Sequence, residues 1–135
     1  MTAEANLART LAELGLELPR PPEAKGLYKP LVICGTLAYT SGHLPIEPDG
    51  RIVTGRLGES LDAEAGHRAA MLAGLGILAT LRAELGGLDR VRRLVKLLGV
   101  VNCTPDFEAQ PAVLNGASQL FSSVFGPDAG VGARS

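Results

Sequence analysis

The chain has 135 residues, of which 46% are hydrophobic and 20% are charged, and its formal net charge at pH 7 is −1. This length gives a single domain with room for one core. The near-neutral charge excludes electrostatic steering of nucleic acid, and no apolar run approaches the roughly 20 residues that span a bilayer.

The two cysteines and the N-terminal segment indicate the compartment. Cys34 lies within an apolar run, Cys103 ends another, and the two have no Cys-x-x-Cys spacing. We therefore expect buried thiols, with no disulfide and no metal role. The first 15 residues carry acids in a helical pattern, and they lack the basic start and apolar block of a signal peptide. The sequence predicts a cytoplasmic protein.

Residues 1–22 predict a helix followed by an extended connector. Thr2 is a suitable N-cap for a helix over 3–14, which Gly15 ends. The prolines after residue 18 then forbid regular structure. Three leucines form one stripe of this helix, and we expect the stripe to dock on the same subunit or on a neighbour: Leu7, Leu11 and Leu14.

Short strands follow the connector. The apolar runs 31–34 and 37–40 predict two strands that meet at a tight corner around Gly35. Asp49-Gly50 is a strong hairpin signal, and it predicts a further short strand over 51–54.

The second half of the chain predicts two helices with a strand between them. A long helix runs from about Leu61 to Leu85, with Ser60 as its cap, and the small residues in its middle allow close packing on a sheet. The segment 91–101 predicts a strand, and Pro111 suits the first turn of a final helix. The element order predicts a mixed sheet with helices packed on one face.

A small basic cluster lies around the start of the predicted strand 91–101. On a strand, Arg90, Arg92 and Lys96 share one face and Arg93 lies opposite. We favour a solvated face or a subunit contact over RNA binding for this cluster.

Four residues are candidates for a small-molecule site: Tyr28, Ser41, Gly42 and Arg134. An arginine between small residues can fork two N–H groups onto a carboxylate. The Ser-Gly corner offers a hydroxyl and an approachable backbone amide, and the tyrosine offers a ring and a phenol. Each also has a structural alternative: a surface arginine, a packing tyrosine, a serine that ends a strand and a glycine that makes a turn.

The two histidines are weaker candidates. His43 follows the Ser-Gly corner, where we favour a structural role over ligand binding, and His67 fits a solvated helix face near Glu64 and Arg68. No further His, Cys or carboxylate stands at metal-ligand spacing, and no Ser-His-Asp arrangement follows from the order of residues. The sequence therefore predicts neither a metal nor an organic cofactor.

Several motifs follow one another in a specific order: Tyr28, Ser41-Gly42-His43-Leu44-Pro45, Asp106-Phe107, Asn115-Gly116-Ala117-Ser118 and Ala133-Arg134-Ser135. This series resembles the YjgF/Rid family of reactive-intermediate deaminases, once labelled L-PSP endoribonucleases or translation inhibitors. The family has Ser-Gly-Gln-Ile-Pro at the second motif. Tyr28 precedes Ser41 by 13 residues (41 − 28), the spacing expected between the family's pocket tyrosine and serine. The Asn-Gly-Ala-Ser stretch resembles a divergent branch.

The resemblance implies a chorismate-mutase-like α+β fold over residues 1–135 and a homotrimer whose sheets line a central barrel. Clefts between subunits would take residues from two neighbours. The implied reaction is hydrolysis of a reactive enamine or imine to a 2-oxo acid and ammonia, without a cofactor. In this reaction Arg134 would hold the substrate carboxylate, Ser41 would position a water, and Tyr28 and Gly42 would contact the substrate.

The sequence also departs from the family pattern. The family usually continues past the arginine-serine pair with two further strands, which we expect to be absent after residue 135. A glutamate in that segment is the family's candidate for handling the catalytic water. This departure favours a second interpretation, a non-catalytic module that binds small carboxylates or regulates. An endoribonuclease or translation inhibitor is the third.

Overall fold

The computed structural model describes residues 1–135, which form three α-helices and four short strands. The elements in chain order are α1 (Ala3–Leu14), β1 (Leu31–Cys34), β2 (Leu37–Thr40), α2 (Ala63–Leu85), β3 (Lys96–Leu97), α3 (Gln110–Phe125) and β4 (Ala133–Arg134). A short 3-10 helix, Leu88–Arg90, follows α2. The predicted α+β class is confirmed, with helices and small sheets.

Helices α2 and α3 pack directly on each other and form the centre of the core. Glycines permit this approach: a Cβ atom on Gly116 would overlap the His67 carbonyl oxygen, and one on Gly74 would crowd Leu120. The small residues of α2 therefore serve mainly helix–helix packing, whereas the sequence suggested contact with a sheet. Nine side chains form the buried cluster: Leu7, Leu72, Leu75, Leu78, Leu88, Ala117, Leu120, Phe121 and Val124.

Helix α1 docks on this core through Leu7 and Thr10, which are buried, and Leu11, which packs against it. The Thr2 hydroxyl accepts a hydrogen bond from the Ala5 N–H, and Gly15 ends the helix with a φ of 66°, so both predicted caps are confirmed. Leu7 is fully buried, whereas Leu14 is 43% exposed. The Asn6 amide also donates to the carbonyl oxygen of Val124 in α3 at 3.0 Å. The predicted docking of the stripe on the same subunit is therefore confirmed for Leu7 and Leu11, whereas Leu14 stays exposed within one chain.

The start of α2 differs from the prediction. Asp62 caps the helix by accepting from the Ala65 N–H at 2.8 Å. The Ser60 hydroxyl, predicted to be the cap, accepts instead from the Arg56 N–H at 2.9 Å. Leu61 forms a bridge with Leu57, which holds it outside the helix.

The strands form two separate two-stranded sheets. β1 and β2 are antiparallel, with Leu31 opposite Thr40 and Cys34 opposite Leu37. β3 and β4 are parallel, so both senses of pairing occur, but in two separate sheets and not in the single mixed sheet that the element order predicted. The strand predicted over 51–54 is reduced to a single antiparallel bridge.

The strand predicted over 91–101 is also shorter than expected. Only Lys96–Leu97 pair with a strand, because the preceding backbone bonds to a loop instead, as when the Leu94 N–H donates to the Ala129 carbonyl oxygen at 2.7 Å. Arg90 belongs to the 3-10 helix and donates to the Leu85 carbonyl oxygen. The predicted shared face of Arg90, Arg92 and Lys96 is therefore wrong.

The two cysteines are less buried than predicted. Cys34 is exposed and Cys103 is partly buried, and both are free thiols. Cys34 ends β1, and nothing within the chain covers that end of the two-stranded sheet. The expectation of buried thiols is wrong for Cys34 and only partly met for Cys103.

Large apolar side chains remain exposed on the first sheet and next to the second. The most relevant are Val32, Ile33, Leu37 and Tyr39 in β1 and β2, and Leu98 and Val100 after β3. None of the helices combines the length and the apolar character needed to cross a membrane.

Candidate functional site

Three of the four predicted site residues line one cleft: Tyr28, Ser41 and Gly42. Two prolines, a carboxylate and an imidazole also line this cleft. The remaining lining residues are Pro22, Glu23, Ala24, Pro30 and His43. The cleft therefore combines a phenol, a hydroxyl, a carboxylate and a glycine backbone in one place.

Ser41 is fixed at the end of β2. Its N–H donates to the Pro30 carbonyl oxygen at 2.9 Å, which extends the pairing of the two strands by one residue. Its hydroxyl donates to the Lys29 carbonyl oxygen. The structural role considered for Ser41 is thus real. The hydroxyl keeps its lone pairs, so it can still accept a hydrogen bond from a water.

Tyr28 is half exposed, with 49% of its surface accessible. Its phenol oxygen accepts a hydrogen bond from the Lys25 N–H at 3.1 Å. A phenol is both donor and acceptor, so the phenolic proton remains available to a ligand. Tyr28 is therefore outside the core, and the alternative of a packing tyrosine does not apply.

His43 ties the Ser-Gly corner to α2. Its Nδ1 lies 2.8 Å from the Ser41 carbonyl oxygen, and its Nε2 lies 2.8 Å from Oγ1 of the buried Thr80. Burial lowers the pKa of His43, and the bond to the Ser41 carbonyl opposes this shift only in part. Because a carbonyl can only accept, Nδ1 carries the proton and the neutral ring accepts from Thr80 at Nε2. This is the structural role that the sequence favoured.

Gly76 in α2 faces this arrangement. A Cβ at that position would lie 3.4 Å from the His43 ring and 3.8 Å from Pro22, which are ordinary contact distances. The corner and the connector therefore lie directly against this turn of the helix.

Gly42 itself is exposed, and a Cβ built on it meets no atom within 4 Å. Its φ is not positive, so the backbone does not require glycine there. The space over Gly42 is therefore open to a ligand or to another subunit.

Arg134 lies apart from this cleft, and it is not among the residues that line it. Its Nη1 donates to Asn115 Oδ1 at 2.8 Å and to Ser118 Oγ at 3.0 Å, and its Nη2 donates to the Pro111 carbonyl oxygen at 3.2 Å. The arginine is therefore held against α3, and the alternative of a free surface arginine does not apply. Within one chain, the candidate residues form two groups.

The chain as a whole is similar to known proteins. Residues 8–135 match the model of the family described as "YjgF/chorismate mutase-like, putative endoribonuclease". The chain belongs to the YjgF/Rid family. The fold and the order of motifs are therefore those that the resemblance predicted.

Individual relatives cover almost the whole YjgF/Rid chain. Protein TCP17 from Trypanosoma cruzi is 40% identical over 134 residues, which are 99% of this chain and 84% of that protein. The crystal structure of Atu1372 from Agrobacterium tumefaciens, a protein of unknown function, matches 98% of this chain and 80% of that one, with a TM-score of 0.87 and 41% identity. A "putative endoribonuclease" from Shewanella oneidensis MR-1 matches 99% and 85%, with a TM-score of 0.89 and 35% identity.

Sequence reasoning missed several residues around this YjgF/Rid site. Glu23 was not singled out, and Thr80 was read only as part of a helix. Asn115 and Ser118 were noted as a motif, but their contact with Arg134 was not foreseen. Their spacing of three residues on a helix was the available signal, because it places both side chains on one face.

His67 does not line the cleft and lies between α2 and α3. His67 Nε2 lies 3.2 Å from Gln119 Oε1, so the ring bridges α2 and α3 at their surface. No group of three or more His, Cys, Asp or Glu side chains is arranged to hold a metal ion.

Proposed function

We propose that this protein hydrolyses reactive enamine or imine intermediates and releases a 2-oxo acid and ammonia. The observation that carries the proposal is the single cleft lined by Tyr28, Ser41 and Gly42, in a chain of the YjgF/Rid family. The cleft supplies a free phenolic proton and a hydroxyl with free lone pairs. The cleft within one chain has a volume of about 20 Å³, which is room for one water, so a substrate needs the further space of a cleft completed by a neighbouring subunit.

The reaction needs little chemistry from the protein. Water adds to the electrophilic imine carbon while one of its protons passes to the nitrogen, which gives a carbinolamine. The C–N bond then breaks as the proton of the carbinolamine hydroxyl passes to the nitrogen, which leaves as ammonia, and the oxygen becomes the keto group. From 2-iminopropionate and one water, the products are one pyruvate and one ammonia. The Ser41 hydroxyl oxygen accepts a hydrogen bond from the water and so orients it. Orientation alone gives a large rate advantage. Tyr28 donates to the substrate.

Arg134 supplies the carboxylate contact in this proposal. No carboxylate of the chain contacts its guanidinium, in contrast to the three arginines that form ion pairs. Because Arg134 does not line the cleft of its own chain, the proposal requires a neighbouring subunit to bring the two groups together. A homotrimer with clefts between subunits meets this requirement, and the exposed apolar residues of β1 and β2 offer an interface.

A non-catalytic module that binds small carboxylates is the second candidate. It is favoured by the way the cleft uses its protons: the Ser41 hydroxyl donates to Lys29, and both ring nitrogens of His43 are engaged. Glu23 is the one carboxylate that lines the cleft and is available to accept a proton from water. Glu23→Gln separates the candidates, because it should reduce turnover in an enzyme and leave binding unchanged in either case.

Ammonia release from freshly generated 2-iminopropionate tests the proposal. We expect turnover by the wild-type protein and a loss of turnover in Ser41→Ala that exceeds the loss of pyruvate binding. Ser123→Ala is the matched control, because its hydroxyl makes no hydrogen bond and lies on the exposed side of α3. Pyruvate binding without ammonia release would establish the module instead. RNA cleavage by the same preparation would support the endoribonuclease, the third candidate.

A further inference from the structure

The three acceptors around Arg134 all come from one face of α3. Pro111, Asn115 and Ser118 are separated by four and three residues, the spacing that aligns positions along one side of a helix. The opposite side of α3 is buried in the core through Ala117, Phe121 and their neighbours. The polar row is therefore carried by a helix whose own position is fixed by packing, and a site on such an element is held accurately.

The Arg134 guanidinium has N–H groups that the three acceptors of α3 leave without a partner. A guanidinium has five N–H groups, and three of them are used, two on Nη1 and one on Nη2. The Nε proton and one Nη2 proton have no partner in the chain. Nε and Nη2 lie on the same edge of the guanidinium, the edge that can bind a carboxylate with two parallel hydrogen bonds.

All three acceptors are uncharged: an amide oxygen, a hydroxyl and a backbone carbonyl. They fix the guanidinium without neutralising it, so its full charge is left for an external anion. In contrast, the guanidinium charges of Arg51, Arg68 and Arg82 are already paired with carboxylates of the chain. The lack of charge on these three acceptors is thus as relevant to anion binding as their positions.

We propose that Asn115 and Ser118 are positioning residues, which hold the Arg134 guanidinium by Nη1 so that its Nε–Nη2 edge faces the carboxylate of the substrate. This inference rests on the proposed function and deepens it by assigning a role to the Asn-Gly-Ala-Ser motif. Neither residue needs to touch the substrate. Their effect passes through Arg134 alone, which makes the inference testable by non-additivity.

The first test requires no ligand. In protein labelled with ¹⁵N-arginine, NMR reports rotation about the Cζ–Nη bonds of Arg134. Removing Asn115 or Ser118 by alanine substitution should speed this rotation about two- to tenfold for each hydrogen bond lost. Ser123→Ala is the control on the same helix and should leave the Arg134 signals unchanged. Unchanged signals in the Asn115→Ala/Ser118→Ala double variant would overturn the proposal.

The second test measures pyruvate binding and turnover. We expect the Kd to rise about two- to tenfold in Asn115→Ala and in Ser118→Ala, and to return to near the wild-type value in Ser118→Thr, which keeps a hydroxyl. In turnover, KM should rise while kcat is retained, since the contact serves binding rather than the chemical step. A purely structural defect would instead lower the active fraction, with a fall in kcat and no change in KM.

Asn115→Asp separates geometry from charge. The carboxylate keeps an acceptor for Nη1, so Arg134 should stay rigid by NMR, yet it occupies the charge and should weaken pyruvate binding. A wild-type affinity for pyruvate in Asn115→Asp would overturn the claim that the acceptors around Arg134 must be uncharged.

The arms distinguish failure of this inference from failure of the proposed function. If the wild-type protein binds no 2-oxo acid, the proposed function fails, and the NMR measurement still decides whether Asn115 and Ser118 hold Arg134. If the wild-type protein binds pyruvate and both alanine variants bind it equally well, the positioning role is overturned and the proposed function stands. In the Arg134→Lys background, Asn115→Ala should have little further effect on binding, and a full additive loss would also contradict the inference.

Discussion

Arg134 and Ser41 illustrate how single residues can be anchored by the fold and still offer groups to a ligand. Arg134 uses three of its N–H groups on α3 and keeps two, and Ser41 gives its proton to Lys29 and keeps its lone pairs. In both cases the bonds within the chain set the orientation of the remaining groups. Preorganisation of this kind lowers the entropy lost when a ligand binds.

Substitution of Arg134 tests the carboxylate contact at this scale. Lysine is a point charge without the planar fork, so Arg134→Lys should weaken pyruvate binding, and Arg134→Ala should weaken it about ten- to a hundredfold. Calorimetry measures both. The exposed Arg92, whose side chain makes no hydrogen bond, provides Arg92→Ala as the matched control. Equal affinities of Arg134→Ala and Arg92→Ala for pyruvate would show that Arg134 does not bind the carboxylate.

His43 predicts a dependence of stability on pH. Its pKa is lowered in the folded state, so the unfolded chain takes up the proton first as the pH falls. The stability from neutral His43 is present above the unfolded value of about 6.5 and is lost as the pH falls from there through the folded pKa. Melting temperatures between pH 7.5 and 5 should therefore fall more steeply in the wild-type protein than in His43→Gln. Both proteins keep His67.

The carboxyl groups do not obscure this window. The bond to Arg82 lowers the pKa of Glu4, and backbone and side-chain bonds to Arg51 lower that of Asp49. Their contributions are lost only at pH values below about 4.5. Identical slopes for wild type and His43→Gln above pH 5 would show that His43 is not held neutral by the fold.

At the scale of elements, helix α1 makes its main contacts with the rest of the chain near its N-terminal end. Leu7 is fully buried against α2 and α3, and the Glu4 carboxylate accepts from the Arg82 guanidinium and from the Leu88 N–H. The C-terminal end, with Leu14 exposed, has no comparable anchor. The helix is therefore part of the core at its start and a surface element at its end.

Two matched leucine substitutions test this description of α1. Leu7→Ala leaves a cavity in the core and should lower the free energy of unfolding by about 2–5 kcal/mol. Leu14→Ala should change it by less than about 1 kcal/mol, since the side chain is already half in water. Chemical denaturation measures both. Equal effects of the two substitutions would show that α1 does not dock as described.

The helices were more predictable from sequence than the strands, for a local reason. Thr2 with Gly15 and Pro111 with Gly126 mark helix ends through bonds or restrictions within a few residues. Strand length depends on which distant backbone is available, and the segment 91–101 finds only two partner residues in β4. The exposure of Cys34 has the same cause, because apolar composition predicted burial that the chain alone does not provide.

The candidate site was predictable in part for similar reasons. The spacing of Tyr28 and Ser41 predicted two residues that the structure brings to one cleft. The partners of Arg134 and the anchoring of His43 on Thr80 depend on how α3 and α2 pack, which no local pattern encodes. Glu23 was missed because a connector rich in proline gives no periodic signal.

At the scale of the whole molecule, large apolar residues are exposed on the sheet of β1 and β2 and in the segment after β3. Ile33 and Tyr39 are more than half exposed, and Val100 is 92% exposed. Contiguous apolar surface of this kind in a folded chain usually marks an interface. The proposed trimer covers these residues and completes the sheets with backbone from neighbouring subunits.

Light scattering tests the assembly. A trimer should have about three times the 14.0 kDa mass of the chain. Ile33→Asp places a charge on the exposed face of β1 and should shift the protein toward smaller species, whereas Glu84→Asp on the exposed surface of α2 should not. A monomer at micromolar concentration would contradict both the trimer and the shared cleft.

The most direct measurement of the central claim combines the two halves of the site. Co-expressed Ser41→Ala and Arg134→Ala chains form mixed oligomers in which some interfaces pair an intact Ser41 cleft with an intact Arg134. Each variant alone should release little ammonia from 2-iminopropionate, and the mixture should recover about a quarter of the wild-type rate, because random assembly joins the intact halves at one interface in four. A mixture as inactive as its parents, beside an active wild-type protein, would contradict a deaminase site shared between subunits.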